Sequence, residues 1–191
     1  MSELSDKWDR RYGDRPKNAG AASRVLTENA HLLPPKGTAL DLACGLGANA
    51  TFLAEIGLEV HAWDISSVAI ETLRTHAEAS GMPVNAAVRD VTRQPPEQES
   101  FDVVVVVHFL DRSLTEHLIA ALRPGGVLFY QTFTHTKVND VGPRNEEYLL
   151  SDNELLQMFG SLRILVYREE GRTGDTTCGF RNEAMLVACK S

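Results

Sequence analysis

Two acidic residues and a glycine turn between them have the types and spacing of a nucleoside-binding site. Asp41 interrupts an apolar run, and the turn that follows this run contains Gly45 and Gly47. Glycine lets the backbone adopt positive φ, or lets a ligand approach more closely than a Cβ would allow. A buried carboxylate such as Asp41 is costly unless it accepts hydrogen bonds or faces a positive charge. Asp64 ends the next strand-like run, at about the spacing at which a ribose-binding acid follows a glycine turn.

The glycine turn alone leaves the nucleoside open. Gly45, Gly47 and Ala50 also satisfy the spacing of a dinucleotide-binding fingerprint, and a tight strand-to-helix connection would need glycines without any ligand. The carboxylate of Asp41 argues against a pyrophosphate beside the turn, because two anions would then lie close together. A ligand that carries an ammonium group suits this position better, and S-adenosylmethionine has one.

The elements that position these residues follow from hydrophobic periodicity. Five consecutive valines within the run 101–110 are apolar on both faces, which is typical of a central parallel strand covered by helices on each side. The last two apolar runs are joined by a polar loop and predict a terminal hairpin. The predicted helices are 22–33, 49–56, 67–80 with Ser66 as its N-cap, 113–122 and a helix that begins at the capping box 151–154; the predicted strands are 38–43, 59–65, 84–91, 101–110, 127–133, 162–169 and 183–190.

The ordered motifs along the chain resemble those of class I S-adenosylmethionine-dependent methyltransferases. They are Asp41-Leu-Ala-Cys-Gly45-x-Gly47, then Asp64, Arg89-Asp90-Val91, Phe101-Asp102 and Leu122-Arg-Pro-Gly-Gly126. This resemblance covers nearly the whole chain. It implies an α/β fold with a seven-stranded Rossmann-like methyltransferase sheet, mostly parallel with an antiparallel C-terminal strand, and with helices on both faces.

The N-terminal segment carries a further motif, Trp8-x-x-Arg11-Tyr12. It is similar to the N-terminal lid of small-molecule methyltransferases of the tellurite-resistance and thiopurine type, in which aromatic residues close over the cofactor. Alternatively, Trp8 and Tyr12 are four residues apart and merely dock a short helix on the core. We therefore expect residues 1–22 to form an arm or lid and residues 23–191 to form one methyltransferase domain.

The resemblance implies a role for each motif in binding S-adenosyl-L-methionine. Asp41 would act on the methionine ammonium, Asp64 would accept hydrogen bonds from the ribose hydroxyls, and Ile65 would pack on adenine, whose edge Asp90 and Val91 would contact. Asn49 either reaches the ligand or caps the helix that follows the turn. The expected cofactor-binding residues are Trp8, Arg11, Tyr12, Asp41, Ala43, Gly45, Gly47, Asn49, Asp64, Ile65, Asp90, Val91 and His108.

His108 is the one imidazole at the predicted carboxyl end of the central strand, and it is the candidate catalytic base. A histidine that satisfies backbone groups at a strand end is the alternative, because the sequence shows no partner for it. Methyl transfer does not require a base when the acceptor is a soft nucleophile such as a thiolate or a reduced chalcogen oxyanion, whereas an oxygen nucleophile would need help. We expect a small-molecule acceptor, including the soft sulfur or chalcogen class.

Composition excludes several other classes of function. The formal net charge of −7 gives no basic face for nucleic acid. Three cysteines without ligand spacing predict neither a disulfide framework nor a metal site, and no apolar run is long enough to cross a bilayer, so we expect a cytoplasmic monomer or homodimer. Two alternatives to an enzyme of this family stay open: a cofactor-binding sensor or partner subunit without catalysis, and an NAD(P)-dependent oxidoreductase, which the glycine spacing alone supports.

Overall fold

A single mixed sheet of seven strands organises the protein. A computed structural model describes residues 3–14 and 20–191, and its strands are β1 (Thr38–Leu42), β2 (Glu59–Asp64), β3 (Val84–Val88), β4 (Phe101–Val107), β5 (Leu122–Phe133), β6 (Arg163–Glu169) and β7 (Glu183–Cys189). Their order in the sheet is β3-β2-β1-β4-β5-β7-β6. The first five strands are parallel, and β7 lies antiparallel between β5 and β6. The predicted fold class, with its antiparallel C-terminal hairpin, is confirmed.

Helices cover both faces of this sheet. The α-helices are α1 (Glu3–Gly13), α2 (Arg24–Thr27), α3 (Ala48–Ile56), α4 (Ser67–Ser80), α5 (Thr115–Ala121) and α6 (Glu154–Met158), and 3-10 turns span Ala30–Leu32, Arg112–Leu114 and Glu146–Tyr148. Buried side chains of α2, α3 and α4 belong to one apolar cluster, and those of α5 and α6 belong to the other. Within the described residues, no helix combines the length and apolar composition needed to cross a membrane.

The valine run of β4 explains how the two clusters share one sheet. Val104 and Val106 pack in the cluster with α5 and α6, whereas Val103 and Val105 pack in the cluster with α2, α3 and α4. All four side chains are fully buried. Because side chains alternate across a strand, only an unbroken apolar run can fill both layers. The sequence-based interpretation of this run as a central strand is confirmed.

The structure corrects the boundaries of some predicted elements. The expected helix 22–33 is interrupted, because the Asn29 side chain donates a hydrogen bond to the Val25 carbonyl oxygen at 3.0 Å and the chain continues only as a 3-10 turn. β3 ends at Val88 rather than at residue 91, since the chain then turns at Asp90. β5 begins at Leu122, which pairs with Phe101 across a register shift, and it is therefore longer than the predicted strand.

Candidate functional site

The glycine turn lies where β1 ends, at the carboxyl edge of the parallel strands. Ala43, Gly45 and Gly47 all have left-handed φ, at 57°, 53° and 85°. A Cβ added to Gly45 would lie 2.8 Å from the Tyr12 hydroxyl oxygen, and one added to Gly47 would lie 2.3 Å from a Leu73 methyl carbon. The turn therefore has both a backbone conformation and a closeness of packing that favour glycine. The strand order reverses between β1 and β4, and ligands of open α/β sheets bind at such a switch point.

Asp64 connects the glycine turn to the neighbouring turn after β2. One carboxylate oxygen accepts a hydrogen bond from the Gly45 N–H at 2.8 Å, and the other accepts one from the Ser66 N–H at 2.9 Å. The residue is only 6% exposed, and burial raises the pKa of its carboxyl group despite these donors. The Ile65 N–H provides a further hydrogen bond to Asp64. A carboxylate has about four lone-pair positions, so three backbone donors leave room for a ligand hydroxyl group.

Asp41 is the second buried acid and is 1% exposed. One oxygen accepts a hydrogen bond from the Ala50 N–H at 3.0 Å, and the Asn49 side chain provides a further hydrogen bond. Burial, and then the nearby charge of Asp64, raise the pKa of Asp41 to about 7. A cation placed over the turn would stabilise the ionised form of both acids.

Asn49 does not cap α3, so that alternative from the sequence is wrong. The residue before α3 is Gly47, without a side chain, and the Asn49 side-chain oxygen instead accepts a hydrogen bond from the Ser23 N–H at 2.9 Å. The amide group of Asn49 thus joins the chain before α2 to the Asp41 carboxylate. This contact fixes the position of Asp41 from outside its own strand.

The N-terminal motif forms part of α1, which packs against α4. The Trp8 and Tyr12 rings stack with centroids 5.7 Å apart, and the Arg11 guanidinium carbon lies 5.1 Å from the centroid of the Trp8 ring. The Tyr12 hydroxyl lies at Gly45, as described above. The structure therefore places all three motif residues on one helix beside the glycine turn. The arm predicted as residues 1–22 is described only at 3–14 and 20–22.

Asp9 holds α1 in this place, and the sequence interpretation missed it. Its carboxylate accepts hydrogen bonds from the Ser66 hydroxyl at 2.5 Å, from the Ser67 hydroxyl at 3.0 Å and from the Val68 N–H at 3.3 Å. Burial opposes ionisation of Asp9, but these hydrogen bonds dominate and lower its pKa. The Ser66 hydroxyl also accepts from the Ala69 N–H at 3.2 Å, which confirms Ser66 as the N-cap of α4. The sequence signal that could have identified this residue is the acid directly after Trp8, inside the N-terminal motif.

The residues expected to contact adenine lie after β2 and β3. Ile65 is partly exposed and follows Asp64 directly, whereas Val91 is buried. Asp90 accepts hydrogen bonds from the Thr92 N–H at 3.1 Å and the Thr92 hydroxyl at 2.7 Å through the same oxygen. Its other oxygen lies 3.5 Å from a guanidinium nitrogen of Arg93, which is 80% exposed. Asp90 thus stabilises a turn, and its side chain stays 28% exposed.

His108 follows β4 and has a partner that the sequence did not reveal. Its Nε2 lies 2.9 Å from a carboxylate oxygen of Glu183, the first residue of β7, and its ring stacks on Phe133 with centroids 4.6 Å apart. Its φ is 54°, which is unusual for a residue with a side chain. Leu42, the last residue of β1, pairs with Val106, so His108 lies at the same carboxyl edge of the sheet as the glycine turn. Glu183 opens an apolar antiparallel strand, and that acid was a detectable signal.

One surface depression lies elsewhere. It has a volume of about 660 Å³ and is lined by residues at the amino ends of β2 and β3, including Glu59 and Val84. The buried acids, the glycine turn and His108 all lie at the opposite, carboxyl edge. We assign ligand binding to that edge because the polar groups that could recognise a nucleoside converge there.

Comparison with known proteins agrees with this geometry. Residues 39–126 match the model of a methyltransferase domain family. Over 135 residues the chain is 30% identical to a ubiquinone biosynthesis O-methyltransferase of Xanthomonas axonopodis pv. citri, which corresponds to 68% of this chain and 56% of that protein. The chain spans about half the length of the curated relatives it matches.

Solved structures share the fold at lower identity. TehB from Haemophilus influenzae has a TM-score of 0.72 and 22% identity, with 98% of this chain and 67% of that chain covered. A protein studied for the conversion of a disulfide bond into a thioacetal group during echinomycin biosynthesis has a TM-score of 0.74 and 23% identity, with 99% and 93% covered. Identities this low establish similarity of fold and nothing further.

We predict that Asp9→Ala loosens α1 and that the matched Asp6→Ala, an exposed acid on the same helix, does not. The loss of hydrogen bonds to Ser66, Ser67 and Val68 should cost about 1 kcal/mol and accelerate amide exchange in residues 3–13 roughly fivefold. Hydrogen exchange measured by mass spectrometry checks this. Equal exchange in both variants would mean that Asp9 does not hold the helix.

We predict that Asp41 makes the protein less stable as the pH rises from about 5 to about 8. The pKa of Asp41 is about 7 in the folded chain, whereas its ordinary value, which applies in the unfolded chain, is 3.8. Between these two pH values the folded state therefore binds a proton that the unfolded state lacks. Stability from this group is therefore full at low pH and is lost as the pH rises through the folded pKa, by on the order of 2 kcal/mol. Urea unfolding of the wild type and Asp41→Asn at both pH values measures it. A pH dependence that is identical in both proteins would contradict the buried, protonatable state of Asp41.

Proposed function

We propose that this chain, which belongs to the class I S-adenosylmethionine-dependent methyltransferases, transfers the methyl group of S-adenosyl-L-methionine to a small-molecule acceptor. The observation that carries this proposal is the pair of buried acids, Asp41 and Asp64, which flank the glycine turn at the switch point of the sheet. The predicted family and its cofactor are confirmed by the similarities described above. The activity of this chain and its acceptor are proposals.

The residues present fit the cofactor. S-adenosylmethionine carries a sulfonium and an ammonium group, and both acids lie buried at the carboxyl edge where burial raises their pKa values. A bound cation there would offset the cost of their ionisation. Asp64 keeps a lone-pair position for a ribose hydroxyl, and Gly45 and Gly47 let the ligand approach the backbone.

We assign the remaining cofactor contacts by position. Asp41 acts on the amino acid part of the ligand, with Ala43 at the end of its strand and Asn49 beside it. The partly exposed Ile65 packs on the adenine ring, and Asp90 and Val91 contact its edge. The partial exposure of the Asp90 side chain, 28%, supports this role.

We propose that α1 is the lid of this site. Trp8, Arg11 and Tyr12 lie on one helix, and the Tyr12 hydroxyl reaches the glycine turn. The hydrogen bonds of Asp9 that dock α1 on α4 are compatible with a lid role, because α1 can be docked there and still cover the cofactor. Residues 1–22 would then be the arm and residues 23–191 the catalytic domain.

The chemistry of the reaction belongs largely to the cofactor. When bound, S-adenosylmethionine supplies a methyl group made electrophilic by a sulfonium, with a neutral thioether as leaving group. The chain must hold an acceptor in line with that methyl group and exclude water, and such positioning contributes on the order of 7 to 11 kcal/mol. His108 is the candidate catalytic residue on the acceptor side.

The class of methyl acceptor depends on whether the site provides a base for the acceptor's nucleophile. A soft sulfur or chalcogen acceptor would need no base, and a protein of this fold is known from thioacetal formation. The curated relatives are O-methyltransferases, and an oxygen acceptor would need a base. We propose a cytoplasmic location and an acceptor other than nucleic acid, the latter from the net charge of −7.

Two other functions are separable by experiment. A cofactor-binding subunit without catalysis would bind S-adenosylmethionine and never form S-adenosylhomocysteine with any acceptor. An NAD(P)-dependent oxidoreductase would bind NADH in preference, which the negative charge of Asp41 beside the turn disfavours.

The experiment that tests the proposed function is calorimetric titration with S-adenosylmethionine and S-adenosylhomocysteine. We predict binding of both ligands to the wild type and to Asp140→Asn, a matched change in an exposed loop. Asp64→Asn should weaken binding by about 1 to 3 kcal/mol, because charge-assisted hydrogen bonds to the ribose are lost. Circular dichroism verifies that this variant is folded. Absence of binding to the wild type at millimolar ligand would refute the function, and unchanged affinity in Asp64→Asn would place the ribose elsewhere.

A further inference from the structure

The ring of His108 is fixed from three directions. Its backbone has φ 54°, and its N–H donates to the Gln131 carbonyl oxygen at 2.9 Å. One face of the ring stacks on Phe133 with an angle of 18° between the planes, and Nε2 contacts Glu183. Nevertheless, 47% of the side chain is exposed at the carboxyl edge. A histidine that only satisfied backbone groups would need neither the carboxylate nor this exposure.

The Glu183 carboxylate is itself held in place. Its second oxygen accepts a hydrogen bond from the Gln131 side-chain nitrogen, and Gln131 is 4% exposed. The Gln131 side-chain oxygen accepts a hydrogen bond from the Val25 N–H at 2.8 Å. We call the chain Val25, Gln131, Glu183 and His108 the relay.

The relay fixes the direction of every hydrogen bond in it. The Val25 N–H can only donate, so the Gln131 oxygen must face Val25 and its nitrogen must face Glu183. Glu183 therefore accepts from Gln131, and as a carboxylate it also accepts from His108. The neutral His108 ring then carries its proton on Nε2, and Nδ1 is left with a lone pair.

We propose that Nδ1 of His108 is the general base of this site, that Glu183 and Gln131 are the residues that position it, and that the acceptor's nucleophile is a hydroxyl group. This inference rests on the proposed methyl transfer and names the acceptor class for it. A soft nucleophile has less need of this base, because a thiol has a pKa of about 8.5 and is intrinsically nucleophilic, whereas even a phenol, an acidic hydroxyl compound, has a pKa of about 10.

The transfer step balances without any further reagent. The hydroxyl oxygen forms a bond to the methyl carbon while the carbon–sulfur bond breaks, and the bonding electron pair stays on sulfur. The hydroxyl proton passes to Nδ1 of His108. The resulting imidazolium donates its Nε2–H to the Glu183 carboxylate, so the positive charge forms next to a negative one.

The first test reads the tautomer of His108 and needs neither cofactor nor acceptor. We predict that long-range 1H–15N NMR at about pH 9, where histidine is neutral, shows a proton on Nε2 of His108, a signal assigned by its loss in His108→Gln. In Glu183→Gln the new side-chain oxygen must face Gln131, so its nitrogen faces His108 and the ring switches to the Nδ1–H tautomer. Glu116→Gln, an exposed change on α5, should leave the tautomer unchanged. A proton on Nδ1 in the wild type would overturn the proposal.

The second test measures S-adenosylhomocysteine formation with catechol, phenol and thiophenol as acceptors. We predict that His108→Gln and Glu183→Gln lower kcat for the hydroxyl probes by about 10²- to 10⁴-fold, the range of general base catalysis, with KM for S-adenosylmethionine unchanged. Turnover of thiophenol, which ionises without a base, should change less than about threefold. Glu116→Gln should match the wild type with every probe.

The outcomes separate this inference from the proposed function. Turnover of thiophenol with no turnover of either hydroxyl probe would overturn the acceptor class and leave methyl transfer standing. Hydroxyl turnover that survives in His108→Gln would overturn the role of the base. No turnover of any probe by a wild type that binds cofactor would also count against the hydroxyl class. Failure to bind S-adenosylmethionine would refute the function itself, while the tautomer experiment would still report on the relay.

Discussion

The cost of burying negative charge at one edge of the sheet determines how this site is built. Asp64 is nearly inaccessible to solvent. Its burial is tolerated because its two oxygens accept hydrogen bonds from backbone N–H groups in the turns after β1 and β2. Those same contacts hold the glycine turn against β2. Asp41 lies close enough for its charge to be destabilised by Asp64, and its hydrogen bonds come from the Ala50 N–H and the Asn49 side chain. A positively charged ligand would best stabilise these two buried acids. The methionine part of S-adenosylmethionine carries such charge on its ammonium and sulfonium groups.

The short helix α2 joins the proposed cofactor side of the edge to the proposed acceptor side. The first N–H groups of a helix have no partner within it, and here two of them are used by side chains. The Ser23 N–H is bound by Asn49, which also contacts Asp41, and the Val25 N–H is bound by Gln131, which holds Glu183. The segment 23–25 therefore helps to position both Asp41 and the carboxylate that contacts His108.

Sequence patterns sufficed for the layers of the fold and for the location of the glycine turn and its two buried acids. The valine run, the glycine turn and the acids that end or interrupt β1 and β2 are local signals, because each depends on neighbours within a few residues. Glu183 and Asp9 were missed because their partners are distant in sequence: Glu183 lies 75 residues from His108, and Asp9 lies 57 residues from Ser66. The break after α2 was missed because Asn29 competes with the helix through a side-chain contact that periodicity does not detect. Asn49 was considered as a helix cap. Its actual partner, Ser23, lies 26 residues away in sequence and is brought to it only by the tertiary fold.

The central claim is that the two buried acids and the glycine turn hold the cofactor at the switch point of the sheet. A crystal structure of the chain with S-adenosylhomocysteine tests it most directly. The account predicts ribose hydroxyls within hydrogen-bond distance of Asp64, about 2.5 to 3.0 Å, and the amino group of the ligand on the side of the turn where Asp41 lies. A ligand bound at the amino ends of β2 and β3, or one whose ribose makes no contact with Asp64, would contradict it.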